Sequence, residues 1–296
     1  MNSLERGFLL LSSHLGNPDR KVLTGPQLRI LAQRITAAQR PEAERELEEK
    51  DLVALGYRND FARRIVELLS QEAELEYYLH RGRHLGCTPV TRVSPGYPGL
   101  LRQRLGTDAP GCLWIRGELP ANFAGGIALV GSRELEPPNR AFAEKVGQMA
   151  AEQGTVLISG NARGADRTAQ DACLARGGRV ISVVADQLTR QPMQEGICYL
   201  SEDGFEEGFS AQRALSRNRV IHALGRVVFV AQCGYGSGGT WDGTTRNLHH
   251  GWSTVACFRD GSDAAWELEQ MGAFPIGLEE LEDFSVPPTD EGFLHG

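Results

Sequence analysis

The spacing of apolar residues along the chain changes character near residue 127. Up to about residue 85, apolar positions recur every three or four residues, the period of one helix face. Leu28, Leu31 and Ile35 follow Thr24-Gly25-Pro26, which reads as a capping threonine with proline in the first turn. A glutamate-rich helix starts at Pro41 and ends near Leu55-Gly56, with the glutamates at 42, 44, 46, 48 and 49 on a solvated face. Phe61, Ile65, Leu68 and Leu69 keep helical spacing and run on into Leu75–Tyr78. The Leu55-Gly56-Tyr57 turn fits a phosphate-gripping helix–hairpin–helix, or, as such turns more commonly do, a packing module without a ligand. Residues 86–126 hold Pro89, Pro95, Pro98, Pro110 and Pro120 among glycines and read as an irregular connector with short strands. Beyond it, near-continuous apolar runs at Ile127–Val130, Thr155–Ile158, Arg179–Val184, Arg226–Ala231 and Thr254–Phe258 alternate with helical stretches. That alternation predicts an α/β fold with a mostly parallel sheet and helices on both faces. The expected units are a helical domain over 1–85, an α/β domain over 86–276 and an acidic, partly flexible tail over 277–296.

Composition narrows the function classes only modestly. With 296 residues, 41% of them apolar and 23% charged, the chain is of ordinary globular make-up. No apolar run approaches the roughly 18 residues of a membrane span, and the first residues lack the pattern of a secretory signal. Six dispersed cysteines without a CxxC pair predict reduced thiols, no metal site and a cytoplasmic protein. The net charge of −7 argues against nucleic acid until it is divided along the chain. Residues 251–296 carry one basic side chain against ten acidic ones, whereas residues 127–250 carry 13 of each. The central region therefore has room for a basic patch.

In parallel sheets ligands bind outside the carboxyl ends of the strands, so the chemistry is sought there. Ser159-Gly160-Asn161-Ala162-Arg163-Gly164 joins a strand to a helix start. Such a junction aims backbone N–H groups and the positive helix end at an anion, and Arg163 adds a bidentate grip. Gly131-Ser132-Arg133 ends the run before it. Arg217-Asn218-Arg219 lies on a helix before the Arg226–Ala231 run, and a second glycine loop, Cys233 to Thr240, follows that run. Arginines at strand ends that converge on one crevice would hold phosphates without reading bases. Asp166 is expected to cap the helix that follows the first loop. Gly234-Tyr235-Gly236-Ser237-Gly238-Gly239 also satisfies GxGxxG, with Asp260 at the distance of a ribose-binding acid. Against a dinucleotide site, Trp241-Asp242-Gly243-Thr244-Thr245-Arg246 is a poor sequence with which to start a helix. No P-loop, GxSxG or HExxH pattern is present.

The order of motifs resembles the DNA-processing protein A family, also called Smf. The resemblance rests on Tyr97-Pro98 with Leu100-Leu101, Leu113 through Gly117, Ala128–Arg133, Ile158–Asp166, Leu200-Ser201-Glu202, Arg217–Ile221, Ser237–Thr240 and Gly272-Ala273. It implies an extended Rossmann-like domain behind a small helical, SAM-like one. By resemblance the protein is a non-enzymatic, dimeric, single-stranded-DNA-binding mediator that protects DNA and helps load RecA in recombination and natural transformation, without a cofactor. The implied phosphate pocket comprises Gly131, Ser132, Arg133, Ser159, Gly160, Arg163, Gly164, Arg217, Asn218, Arg219, Ser237, Gly238 and Thr240. Departures mark a divergent member: Gly164-Ala165-Asp166 replaces Gly-Ile-Asp, residues 186–192 lack the Tyr-Pro and, apart from Arg190, the basic residue often placed there, and Trp241–His250 replaces an alanine-rich helix. No winged-helix segment follows in this sequence. The alternative reading is a nucleotide-binding or nucleotide-hydrolysing, phosphoribohydrolase-like protein of the same superfamily fold. Its glycine loop would be Gly236–Thr240 and its acid Glu202.

Overall fold

The computed structural model describes residues 1–38, 47–120, 123–202 and 204–285. Five helices come first: α1 (Ser3–Ser12), α2 (Gly25–Ala37), α3 (Glu49–Ala54), α4 (Asn59–Leu69) and α5 (Glu72–His84). Strand β1 (Cys87–Thr91), helix α6 (Gly99–Leu105) and strand β2 (Cys112–Arg116) follow. Next come β3 (Gly126–Val130), α7 (Pro137–Glu152), β4 (Val156–Ser159), α8 (Ala165–Ala175), β5 (Arg179–Val183) and β6 (Ile197–Ser201). The chain continues through α9 (Ala211–Leu224), β7 (Gly225–Val230), α10 (Gly238–His250), β8 (Thr254–Phe258), α11 (Asp263–Gln270) and β9 (Phe274–Ile276).

One nine-stranded sheet has the order β1-β2-β6-β5-β4-β3-β7-β8-β9. Strands β6 through β9 in that order pair in parallel, and the β1–β2 hairpin is antiparallel and joins antiparallel to β6. From β3 the chain winds outward through β4, β5 and β6, then crosses back to β7 on the other flank of β3. The order therefore reverses between β3 and β7, where the loops leaving two neighbouring strands part and open a crevice. All five predicted strands are present. Of the remaining four, β1 and β2 are short strands in the proline-rich connector, where short strands were expected without bounds; β6, a short run after a loop, and β9, of three residues, were not predicted.

Alternation within the strands feeds two cores. Ile127 and Leu129 face Phe142, Val146, Ala169 and Cys173 of α7 and α8, whereas Ala128 and Val130 face Leu101, Val220, Ile221 and Leu268 of α6, α9 and α11. The helical segment has a smaller core of its own around Leu23, Leu31, Leu52, Ile65 and Leu68. Its ends nonetheless join the sheet. Leu9, Leu10, Leu75, Tyr78 and Leu79 belong to the α7–α8 side, and Tyr78, Trp114 and Phe205 stack with ring centroids 4.5–5.2 Å apart.

Local details follow short-range rules. Thr24 caps α2 in a capping box with Gln27, and Pro26 lies in the first turn. The helical run expected from Phe61 into Tyr78 is broken at Ser70-Gln71, so α4 and α5 are separate helices. At the α3–α4 turn, Gly56 takes φ +86°, while Arg34 donates to the Leu55 carbonyl and covers the Tyr57 ring at 4.3 Å. An internal side chain thus occupies the turn that a helix–hairpin–helix would offer to phosphate. The glutamates at 42, 44 and 46 lie outside the described residues, as do residues 286–296. The described start of the acidic tail is docked: Leu281 is buried and Phe284 packs on Phe229 and Phe274. All six cysteines are free, and among the described residues no helix is long and apolar enough to cross a membrane.

Candidate functional site

At the switch point a cleft of about 600 Å³ opens between the loop leaving β3, the loop leaving β7 and one face of α9. A second cleft of about 390 Å³ continues from it over the loop leaving β4. Arg133, Ala162, Phe209, Ala214 and Arg217 line both.

The loops are locked to one another by their backbones. Ser132 N–H donates to the Gln232 carbonyl (2.8 Å), and Ala165 N–H donates to the Ser132 carbonyl (3.0 Å). Gly131 and Gly164 make this closeness possible. A Cβ on Gly131 would lie 2.5 Å from the Ala165 side chain. One on Gly164, which has φ +85°, would lie 2.4 Å from the carbonyl oxygens of both Ser132 and Arg133.

Arg217 forms the floor. Its Nη1 donates to the Val183 carbonyl (2.9 Å), and its Nη2 lies 3.8 Å from the Asp166 carboxylate. The guanidinium fills the space where a side chain on Gly160 would be, since a Cβ there would sit 1.4 Å from Nη1. Arg217 Nε is buried without a partner. Burial pushes the Asp166 carboxyl up and draws the Arg217 guanidinium down from their ordinary values, and each charge opposes the other's shift. A guanidinium starts so high that it stays a cation. Asp166 does not cap α8 as expected: its carboxylate accepts from Ala162 N–H (3.1 Å), closing the loop, and the cap position is Gly164.

Positive helix ends complete the setting. Neither α8 nor α10 has a side-chain cap, although Ser237 occupies the cap position of α10. The first-turn N–H groups and dipole of α10 favour an anion at the crevice, whereas at α8 the Ala165 and Arg167 N–H groups already donate to the Ser132 and Ala162 carbonyls. Arg133 and Arg163 are exposed above the floor, and Arg163 pairs with Glu134 at 3.2 Å, a solvated contact of little strength.

Of the predicted residues, Gly131, Ser132, Arg133, Arg217, Asn218, Ser237, Gly238 and Thr240 line the first cleft, and Gly160 and Arg163 line the second. Three others line neither. Ser159 is buried and its hydroxyl accepts from Gln170 Nε2 (2.6 Å), which also reaches Ser182. Gly164 is a packing residue, as above. Arg219 donates to Glu202 at the end of β6 (2.7 Å). Arg217 and Arg219 are two residues apart on a helix, so they cannot share a face. The same ion pair holds Glu202, the acid of the nucleotide-hydrolase alternative, outside both clefts.

The GxGxxG loop does open a helix, contrary to the expectation from Trp241–Arg246. Gly243, Thr244 and Asn247 are buried, and the packing of α10 on α9 outweighs weak propensity. Asp260, however, accepts from Asn139 Nδ2 (2.7 Å) and Ser262 N–H (2.9 Å), so the supposed ribose acid is engaged internally.

Sequence reasoning missed Phe209, Leu215, Asn161, Asp166 and His222 as cleft residues. Helical spacing could have found His222, which is four residues beyond Asn218 on the same face of α9. Nothing in the pattern marks Phe209, because it stands on the loop before α9 and not at a strand end. Among the described residues no group of three or more His, Cys, Asp or Glu side chains gathers to hold a metal ion.

Residues 88–243, just over half of the chain, match the family described as DNA recombination-mediator protein A. The chain is 34% identical over 192 residues to the DNA processing protein DprA of Streptococcus pneumoniae, covering 60% of this chain and 68% of that protein. It is 28% identical over 200 residues to protein Smf of Synechocystis, covering 61% of this chain but only 49% of that relative, about half its length. The crystal structure of Streptococcus pneumoniae DprA superposes with a TM-score of 0.72 at 25% identity, covering 96% of this chain and 99% of that one. DNA processing protein A from Helicobacter pylori, solved to explain its single-stranded DNA binding mode, shares the fold with a TM-score of 0.56 at 22% identity, over 68% of this chain and 94% of that one. The chain therefore belongs to the DNA recombination-mediator protein A family.

Proposed function

We propose that the joined clefts grip the sugar–phosphate backbone of single-stranded DNA, and that the protein is a non-enzymatic, cytoplasmic recombination mediator. In that role it shields the strand and, as a dimer, supports the loading of RecA. The observation that carries this reading is Arg217. A buried cation with an unpartnered Nε is set against a side-chain-free glycine, in one cleft with the uncapped N-terminus of α10. Such a site is suited to a phosphate, and a guanidinium with backbone donors fixes a backbone without reading bases. The Helicobacter pylori protein of the same fold binds single-stranded DNA. The hydrolase alternative draws no support from Glu202, whose carboxylate is bound to Arg219.

Fluorescence anisotropy with labelled oligo-dT, a duplex of the same length, AMP and NAD, each over a series of salt concentrations, tests the reading. Oligo-dT should bind more tightly than duplex, with log K falling linearly against log salt. Hydrolysis of AMP, or oligonucleotide binding indifferent to salt, overturns it.

A further inference from the structure

A phosphate cradle alone would hold duplex and single strands alike, since both present phosphates. The loop that supplies Gly234 and Ser237 to the first cleft carries a feature that duplex DNA cannot use. Tyr235 stands in the loop leaving β7, between Gly234 and Gly236, three residues before Gly238 begins α10. Its side chain is 61% exposed. It is not loose, because its ring packs edge-to-face on Trp241, with centroids 5.3 Å apart and planes at 61°. Trp241 is in turn packed against the buried cluster beneath α9 and α10. One aromatic is thus anchored in the core and fixes the orientation of a second, which stays open to solvent. Phe209, 58% exposed, lines both clefts. The first cleft also holds Arg217 and the uncapped start of α10, and Gly234, the neighbour of Tyr235, lines it.

Exposed aromatic rings beside a cationic track match the chemistry of unpaired nucleic acid, in which every base offers a free π-face. In a duplex those faces are covered by neighbouring bases.

We infer that Tyr235, braced by Trp241, is a stacking platform for a base of the bound strand and sets the preference for unpaired over paired DNA. This rests on the phosphate-cleft reading above, and its test separates the two. Tyr235 is exposed, so its replacement does not threaten the fold. The full chain and its Tyr235→Ala and Tyr235→Phe variants are titrated by anisotropy with oligo-dT, with an abasic oligonucleotide of equal length and with duplex, over a salt series.

Tyr235→Ala should weaken oligo-dT binding about ten-fold, the usual scale for one base–aromatic stack, with the slope of log K against log salt unchanged. Tyr235→Phe should bind as the wild type does. The abasic strand and the duplex should bind the wild type and Tyr235→Ala equally. Unchanged oligo-dT binding by Tyr235→Ala, or an equal loss on the abasic strand, overturns the stacking platform while leaving the phosphate cleft standing. Failure of the wild type to bind any oligonucleotide overturns both.

Discussion

Two glycine-bearing turns, from Ser159 to Ala165 and from Cys233 to Thr240, look alike as sequences and do opposite work. Both follow a parallel strand and precede a helix with no side-chain cap. In the first, glycine serves contact: Gly160 lies under the Arg217 guanidinium and Gly164 lies under two carbonyl oxygens. Its groups are spent internally, with Ser159 bound to Gln170, Ala162 to Asp166 and Ala165 to Ser132. In the second, Gly236 and Gly238 take φ +65° and +87°, and a Cβ at either would meet no atom within 4 Å, so glycine there serves the turn alone. The first turn is a rigid wall that holds a buried cation in place. The second is an open lip that leaves Tyr235 and the start of α10 exposed to solvent.

Substitutions put this contrast between wall and lip to the test. The largest effect is expected at the closed turn from Arg217→Ala, which leaves the Asp166 carboxyl buried without its partner. Chemical denaturation should show a loss of about 3–5 kcal/mol, and a loss under about 1 kcal/mol would remove Arg217 as its keystone. Gly164→Ala combines a positive φ with a backbone clash and should cost about 3 kcal/mol. Beneath the open lip, His222 is buried on α9 against α10, and burial lowers its imidazole to about 3. In the unfolded chain it titrates near the usual 6.5, so the unfolded state binds the extra proton. This contribution is therefore complete above pH 6.5 and fades as the pH falls toward 3. The slope should be about 1.4 kcal/mol per pH unit in that window, and a His222→Gln variant should have a flatter profile. Gly236→Ala, strained in φ but free of contacts, should cost only about 1 kcal/mol, and a loss equal to that of Gly164→Ala would abolish the distinction. Arg133→Ala should leave the melting temperature unchanged, weaken all strands about equally and reduce the salt slope by about 1.

The chemistry was legible where it depends on short-range order. Gly131-Ser132-Arg133, the 159–164 loop and Ser237–Thr240 could be placed at strand ends because apolar runs and glycine turns are local signals. The α2 cap at Thr24 was legible for the same reason. The antiparallel β1–β2 edge was not, because pairing between Cys87–Thr91 and Cys112–Arg116 is a long-range event within a proline-rich segment. Nor was the sharing of one core between α5 and the sheet, which Tyr78, Trp114 and Phe205 bring about from three distant segments.

Residue order alone was therefore enough to specify a parallel α/β sheet, its family and a set of anion-binding turns at the carboxyl ends of its strands. Which members of that set face the crevice was settled by the folded packing. Ser159 turns inward to Gln170, Arg219 turns to Glu202, and Arg217 alone of the helix pair reaches the floor. The reason is physical: residue type and spacing define what a side chain can bind, whereas its direction depends on helix phase and on partners brought together from far along the chain.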